Sequence, residues 1–198
     1  MARPLPLPLA FALATLLALT ACEKPAPAEP GAAPGQAAAS QASRAKGPAP
    51  AQKAMAADGA LQISPEDACP VCGMRPHKHP KFASGVELED GTTYYTCGTG
   101  CMIRTYLHPD RYLGHDAKPI KRLMTPDYFT GKPLDALQAH WIYGSGVVGP
   151  MGPAFVPLAT EADVMTFRER HGGAHQFELP GLTAEKFGVI TGRSSMGK

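Results

Sequence analysis

Hydrophobic positions divide the chain into three regions of different character. Residues 5–19 form an apolar stretch, and residues 23–62 contain almost no large apolar side chain. After the apolar stretch, aromatic residues begin only beyond Leu61. A segment without large apolar side chains cannot offset the entropy that is lost on folding. The pattern therefore predicts a disordered linker over residues 22–62, a folded region over residues 63–190 and a frayed tail over residues 191–198.

The first part of the folded region, residues 63–125, shows a strand–strand–helix–strand pattern. The sequence Asp90-Gly91 between two apolar segments is a strong signal for a tight hairpin turn. The helix should end before Pro109, because proline cannot continue a helix. The predicted order is strand 82–88, turn 89–92, strand 93–96, helix 98–107 and strand 119–124.

The second part, residues 126–190, repeats this order. Thr160 and Asp163 form a variant of the capping box that begins helices, and Gly172-Gly173 is a strong signal for the end of the helix. The predicted order is strand 139–143, turn 144–146, interrupted strand 147–156, helix 162–171 and strand 175–178. Together, the two parts predict an α+β protein in which two small β-β-α-β halves pack together.

The charge balance and the absence of catalytic motifs narrow the possible functions. The chain has 19 basic and 17 acidic residues and a formal net charge of +2. This balance argues against nucleic acid or an anionic membrane surface as the main partner. The sequence contains no Ser-His-Asp order, phosphate-binding loop or paired-carboxylate motif, so an enzyme is not expected. The 5 cysteines and 7 histidines carry most of the chemical information.

The first 21 residues are typical of a signal peptide. Arg3 gives a weakly positive start, and the apolar stretch is short for a membrane-spanning helix, which needs about 20 residues. The stretch ends in Leu19-Thr-Ala-Cys22, which resembles a bacterial lipobox. This resemblance implies a lipidated Cys22 that anchors the mature chain to a membrane, on the periplasmic side of the bacterial cell envelope. The alternative is a plain secretory signal followed by a chance cysteine.

The other four cysteines occur as two pairs. Cys69 and Cys72 lie in the sequence Cys-Pro-Val-Cys-Gly-Met, and a turn of this kind curls both sulfurs toward one point. Cys97 and Cys101 are four residues apart, so a helical turn would place their sulfurs on one face. The two pairs therefore predict sulfur-based chemistry.

Three kinds of chemistry fit this set of cysteines. Four thiolates in two pairs are typical of a structural zinc site. An oxidising compartment favours disulfides, and Cys69-x-x-Cys72 would suit thiol–disulfide exchange. Thiolates together with thioethers favour Cu(I), and here Met74 closely follows the first pair while Met151 lies in a loop of Pro and Gly residues. The spacing alone leaves all three open.

Longer motifs around the cysteines resemble known families. The Cys-Pro-Val-Cys-Gly-Met start, the aromatic segment 91–97 and residues 108–113 resemble small metal-binding modules of the YHS/TRASH type. Over roughly residues 65–180, the order of motifs is similar to the NosL family, the accessory lipoproteins of nitrous oxide reductase. The motifs of the second half that carry this similarity are residues 128–136, 144–145, 149–152, 155–159 and 171–173.

The resemblance to NosL implies a periplasmic Cu(I) chaperone that helps to assemble the copper–sulfide centre of nitrous oxide reductase. It also implies two related β-β-α-β halves. The implied partners are a copper-receiving enzyme or its maturation complex, and a membrane through the lipid anchor. Cys101 departs from the single cysteine that is typical of the family at this place, which leaves room for a structural metal or for a different copper enzyme.

The expected function is therefore that of a soft-metal carrier. Cu(I) is the expected ion and Zn(II) is the alternative. The first-choice ligands are Cys69, Cys72 and Cys97, and the second choices are Cys101, Met74 and Met151. A structural-zinc interaction module is the alternative function, and a periplasmic thiol–disulfide oxidoreductase is the second alternative.

Overall fold

The computed structural model describes residues 47–193. The predicted signal peptide, Cys22, the first part of the predicted linker and residues 194–198 lie outside the described residues. Among the helices between Gly47 and Arg193, none is long and apolar enough to cross a membrane.

The first half is a four-stranded antiparallel sheet with two helices. Its elements are β1 (Ser84–Leu88), β2 (Thr93–Thr96), α1 (Thr99–Leu107), α2 (Pro109–Leu113), β3 (Ile120–Pro126) and β4 (Pro133–Asp135). The strands are arranged in the order β2-β1-β3-β4. β1 and β2 form the predicted hairpin, and Asp90 Oδ1 accepts a hydrogen bond from the Thr92 amide at 2.9 Å in its turn. This local contact favours the turn and so helps to set the register of the two strands.

The second half is a three-stranded antiparallel sheet with a helix before its last strand. Its elements are β5 (His140–Ser145), β6 (Val148–Gly149), β7 (Gly152–Pro153), β8 (Val156–Leu158), α3 (Glu161–His171), β9 (Gly172–Phe177) and α4 (Ala184–Ile190). The sheet order is β8-β5-β9, and β6 and β7 form a separate small ribbon. As predicted, Thr160 caps α3, since its hydroxyl accepts a hydrogen bond from the Asp163 amide at 3.2 Å.

Both halves have the same connectivity. In each half the second and third strands of the sheet flank its first strand. β2 and β3 flank β1 in one sheet, and β8 and β9 flank β5 in the other, where β6 and β7 are not counted because they form a separate ribbon. Helical structure connects the second strand to the third in both halves. The predicted α+β class with two β-β-α-β halves is therefore confirmed.

The two halves share one apolar core. Its buried side chains include Val86, Met102 and Leu123 from the first half, and Trp141 and Phe155 from the second. The Trp141 indole donates a hydrogen bond to the Ala136 carbonyl oxygen at 3.0 Å, which satisfies its single polar group. Because each sheet buries its apolar face against the other half, the two halves form one folded unit.

Three short elements differ from the sequence-based prediction. Pro109 begins α2 and does not mark the end of helical structure, because proline suits the first helical position, where its missing N–H is not needed. β4 was not predicted, since it begins with a proline, and proline is accepted only at the edge of a sheet. The helix α4 was also not predicted, although Thr183 caps it through the Lys186 amide at 3.3 Å.

Residues 47–63, here called the N-terminal strap, pack against the first sheet. Met55 is buried in a small apolar cluster with Tyr95 and Met124. The Arg122 guanidinium donates hydrogen bonds to two carbonyl oxygens of the strap, at 3.0 and 3.1 Å. The strap is therefore held by both apolar and polar contacts.

The folded region thus begins earlier than predicted, and the expectation of a disordered linker as far as residue 62 is wrong for residues 47–62. The composition of the strap gives no reason for it to pack, because its few large apolar side chains are separated by small and polar residues. The reason lies in the sheet. Gly85 leaves a gap on β1, and a Cβ at this position would lie 2.3 Å from the Met55 sulfur.

Candidate metal centre

The first cysteine pair lies in a tight turn before β1. The Gly73 amide donates a hydrogen bond to the Cys69 carbonyl oxygen at 2.8 Å, and the Cys69 amide donates to the Met74 carbonyl oxygen at 2.9 Å. Gly73 has a φ of 75°, a left-handed conformation that glycine adopts without strain. The turn therefore depends on the glycine that follows Cys72.

The second pair lies where β2 meets α1. Cys97 directly follows β2, Gly98 is the N-cap of α1, and Cys101 lies in the first turn of the helix. Cys101 is fixed there by its amide, which donates to the Gly98 carbonyl oxygen at 3.0 Å. The end of β2 and the first turn of α1 thus hold both sulfurs at one place.

The structure brings the four cysteines together. Their sulfur atoms all lie within 4.8 Å of one another, and within residues 47–193 they are the only such group of potential His, Cys, Asp or Glu ligands. The Cys72 and Cys97 sulfurs are 3.3 Å apart, and those of Cys97 and Cys101 are 3.8 Å apart. All four are free thiols. Cys69, Cys97 and Cys101 are buried, whereas Cys72 is exposed.

Hydrogen bonds between the three buried cysteines shift their pKa values, because several negative charges in so small a space would repel one another strongly. Hydrogen bonds from the Cys101 and Cys97 thiols lower the pKa of Cys69. The pKa of Cys97 is raised by the hydrogen bond between Cys97 and Cys101. The pKa of Cys101 is raised by the hydrogen bond between Cys101 and Cys69. Cys69 thus has the character of a thiolate that accepts hydrogen bonds from its neighbours. A soft metal cation would replace these protons.

The two methionines chosen from the sequence occupy different places. Met74 packs against the three buried cysteines. Met151 belongs to the loop between β6 and β7 and is 49% exposed. It lines a small cavity of about 60 Å³ that Cys101 also lines. In the same loop, Pro150 packs over Gly98, at 3.2 Å from the position that a Cβ would take. The second half of the protein thus contacts the start of α1. The role of Met74 or Met151 as a metal ligand stays a prediction.

Asp67 was missed by sequence reasoning. This buried carboxylate accepts hydrogen bonds from the amides of Gln52 and Ser64, at 2.9 and 2.7 Å, two residues before Cys69. It therefore ties the N-terminal strap to the first cysteine pair. The contact between Asp67 and Gln52 spans 15 residues, so the sequence gives no local sign of it. Only the contact with Ser64, three residues before Asp67, could have been expected from the sequence.

The surroundings of Cys69 and Cys72 differ from those of a thioredoxin-like redox pair. Such a pair lies at the start of a helix that follows a strand. Here the turn is followed by a single 3-10 turn, Pro76–Lys78, and the first strand begins only at Ser84. The thiol–disulfide alternative therefore lacks the helix that activates its nucleophile.

Comparisons with known proteins agree with this geometry. The family model of NosL matches residues 60–185. A solved structure, the copper chaperone NosL from Shewanella denitrificans, superimposes with a TM-score of 0.51 at 20% sequence identity, and the match covers 65% of this chain and 98% of that chain. At this identity the likeness concerns the fold. No curated protein matches the chain. Because the family model covers more than half of its length, the chain belongs to the NosL family.

Proposed function

We propose that this protein is a Cu(I) carrier that delivers copper for the assembly of a copper enzyme. The observation that carries the proposal is the convergence of four cysteine sulfurs within 4.8 Å of one another in a chain of the NosL family. The solved NosL structure that shares the fold is described as a copper chaperone. The donor atoms and the family therefore support the same function.

The donor set suits Cu(I) better than a harder ion. Thiolates and thioethers are soft ligands, and Met74 packs beside the buried cysteines. A carrier must hold its ion tightly and still release it to a partner, which requires that part of the site can be reached from outside. The exposed position of Cys72 supports such a release.

Nitrous oxide reductase is the receiving enzyme that we propose, and the periplasm is the proposed compartment. The resemblance to accessory lipoproteins of that enzyme supports the first point. The sequence Leu19-Thr-Ala-Cys22 after an apolar stretch supports export and a lipid anchor. An anchored carrier would remain close to other proteins of the same membrane, which raises its effective concentration.

A structural zinc module is the second candidate, because four thiols in two pairs are also the donors of a closed tetrahedral zinc site. In that case the ion would hold the turn of Cys69 and Cys72 against the start of α1. Removal of the ion would then loosen the fold itself.

A competition titration separates the two candidates. The reduced protein, purified without oxygen, is titrated with Cu(I) against a Cu(I) chelator, and with Zn(II) against a zinc chelator. We expect about one Cu(I) to bind per chain, with a clear preference over Zn(II). Unfolding by zinc chelators without any preference for Cu(I) would contradict the carrier and support the zinc module.

The lipid anchor has a separate test in bacterial cells. Metabolic labelling with a fatty acid should mark the wild-type protein, and Cys22→Ala should abolish the label and release the protein from membranes. Cys72→Ser is the matched control, because it removes a cysteine from the metal centre and should retain the label. An unlabelled wild-type protein would contradict the anchor.

A further inference from the structure

The four cysteines of the metal centre differ in their access to solvent. Cys69, Cys97 and Cys101 are 3%, 0% and 0% exposed, and they form one buried cluster. Cys72 is exposed, although its sulfur lies only 3.3 Å from that of Cys97. The centre therefore consists of a buried group of three sulfurs and a fourth sulfur, that of Cys72, which is partly accessible from solvent.

Backbone hydrogen bonds fix two of the buried cysteines, Cys69 and Cys101. The Cys69 amide and carbonyl are both hydrogen-bonded within the turn. Cys101 lies in α1, where its carbonyl oxygen also accepts a hydrogen bond from the Thr105 hydroxyl at 3.0 Å. Cys72, by contrast, precedes Gly73, which is exposed and has no atom within 4 Å of the place where a Cβ would lie. No side chain at Gly73 would therefore block a molecule that approaches Cys72.

We infer that Cys72 is the ligand through which copper leaves the protein, while Cys69, Cys97 and Cys101 form the holding site. The inference rests on the proposed function as a Cu(I) carrier. It assigns different tasks to the two cysteines of the first pair, although they are only three residues apart. Cys69 holds the ion, and Cys72 passes it on.

The transfer is a ligand exchange without a change in oxidation state. A donor atom of the acceptor forms a bond to Cu(I) while Cys72 still binds the ion. The bonds from Cu(I) to the buried sulfurs then break, and each electron pair stays on its sulfur. Cys97 and Cys101 take up a proton from solvent, and Cys69 remains a thiolate that accepts their hydrogen bonds. The bond to Cys72 breaks last, and its electron pair stays on the Cys72 sulfur. Because copper remains Cu(I), no oxidant or reductant is needed.

The exchange needs a protein ligand at the surface, because a bond to the acceptor forms only when its donor atom reaches the ion. Three sulfurs that are almost inaccessible cannot share copper with another molecule unless the domain opens. A partly accessible sulfur such as that of Cys72 can bind copper together with the acceptor. Without it, release would depend on spontaneous dissociation from the buried group.

The test compares the copper-loaded wild-type protein with Cys72→Ser, using the Cu(I) chelator bathocuproine disulfonate as the acceptor. Transfer from the wild type should become faster in proportion to chelator concentration. Transfer from Cys72→Ser should be at least about tenfold slower and independent of chelator concentration. Its equilibrium affinity for Cu(I) should fall by less than about tenfold, since all three sulfurs of the buried group remain.

Cys101→Ser is the matched control, because it removes a buried sulfur from the same centre. It should weaken Cu(I) binding by more than about a hundredfold and should make release faster. An equal loss of affinity in both variants, or unchanged transfer from Cys72→Ser, would overturn the inference while leaving the carrier function intact. A wild-type protein that binds no Cu(I) would overturn both.

A second measurement needs no variant and so does not depend on how the variants fold. The copper-loaded wild-type protein is treated with a low concentration of N-ethylmaleimide, and the modified cysteines are located by mass spectrometry. Cys72 should react first, while Cys69, Cys97 and Cys101 stay protected. Earlier modification of any buried cysteine would contradict the assignment.

Discussion

The two halves of the molecule use the same strand–helix junction for different purposes. In the second half, Thr160 precedes α3, and its hydroxyl accepts a hydrogen bond from the Asp163 amide. In the first half, Gly98 precedes α1 and provides no side-chain cap. Both Asp163 and Cys101 are the third residue of their helix. One junction therefore stabilises a helix, while its counterpart holds two cysteines of the metal centre.

This difference shows how a site can arise in a repeated fold. The start of every helix has unpaired amides and a partial positive charge. In the second half a neutral hydroxyl satisfies one of these amides, and in the first half the same place carries the sulfurs of Cys97 and Cys101. The first half lacks a cap worth about 1 kcal/mol, and it presents sulfur donors at the same place.

The largest effect should follow from a change at the first junction. Cys97→Ser should weaken Cu(I) binding by at least about a hundredfold, because a hydroxyl is a hard donor and stays protonated. The affinity is measured by competition with a Cu(I) chelator. Thr160→Ala at the second junction is the control and should leave the affinity unchanged. An equal loss of Cu(I) affinity in the two variants would show that copper binding is not confined to the junction of the first half.

A smaller effect on stability is expected from the N-terminal strap, which only the first sheet carries. Met55→Ala should lower the free energy of unfolding by about 2–4 kcal/mol, because a buried side chain leaves a cavity beside Tyr95. Urea unfolding measures the change. Met165→Ala, at a position that is 63% exposed on α3, should change the free energy by less than about 0.5 kcal/mol. A negligible effect of Met55→Ala would show that the strap does not contribute to the folded unit.

The smallest effect belongs to the second junction. Thr160→Ala should lower the free energy of unfolding by about 1 kcal/mol, since the Asp163 amide loses its acceptor. The same urea experiment measures it, and Thr166→Ala, at a half-buried position within α3, serves as the control. A larger loss in the control than in Thr160→Ala would contradict the role of the cap.

Local signals made most of the fold predictable. The Asp90-Gly91 turn and the Thr160 cap act through contacts between residues that are close in sequence, so the hairpin and α3 could be expected from the chain alone. The strap could not, because the burial of Met55 depends on a gap above Gly85 that exists only in the assembled sheet. β4 has three residues and obtains its stability from pairing with β3.

The candidate site was partly predictable for the same reason. The spacing of Cys69 and Cys72 and that of Cys97 and Cys101 indicate two pairs, and the resemblance to a family suggested that they act together. The difference in burial between Cys72 and the other three cysteines follows from the way in which the turn packs against α1. The spacing of cysteines in the sequence carries no information about this packing. The sequence therefore ranked Cys72 above Cys101, whereas the structure groups Cys101 with the buried sulfurs.

X-ray absorption at the copper edge of the Cu(I)-loaded protein measures directly which atoms surround the ion. We expect sulfur neighbours only, and fewer of them in both Cys69→Ser and Cys97→Ser, because each pair contributes to one site. Nitrogen or oxygen neighbours in the wild type, or a spectrum that neither variant changes, would contradict a copper site that is built from both cysteine pairs.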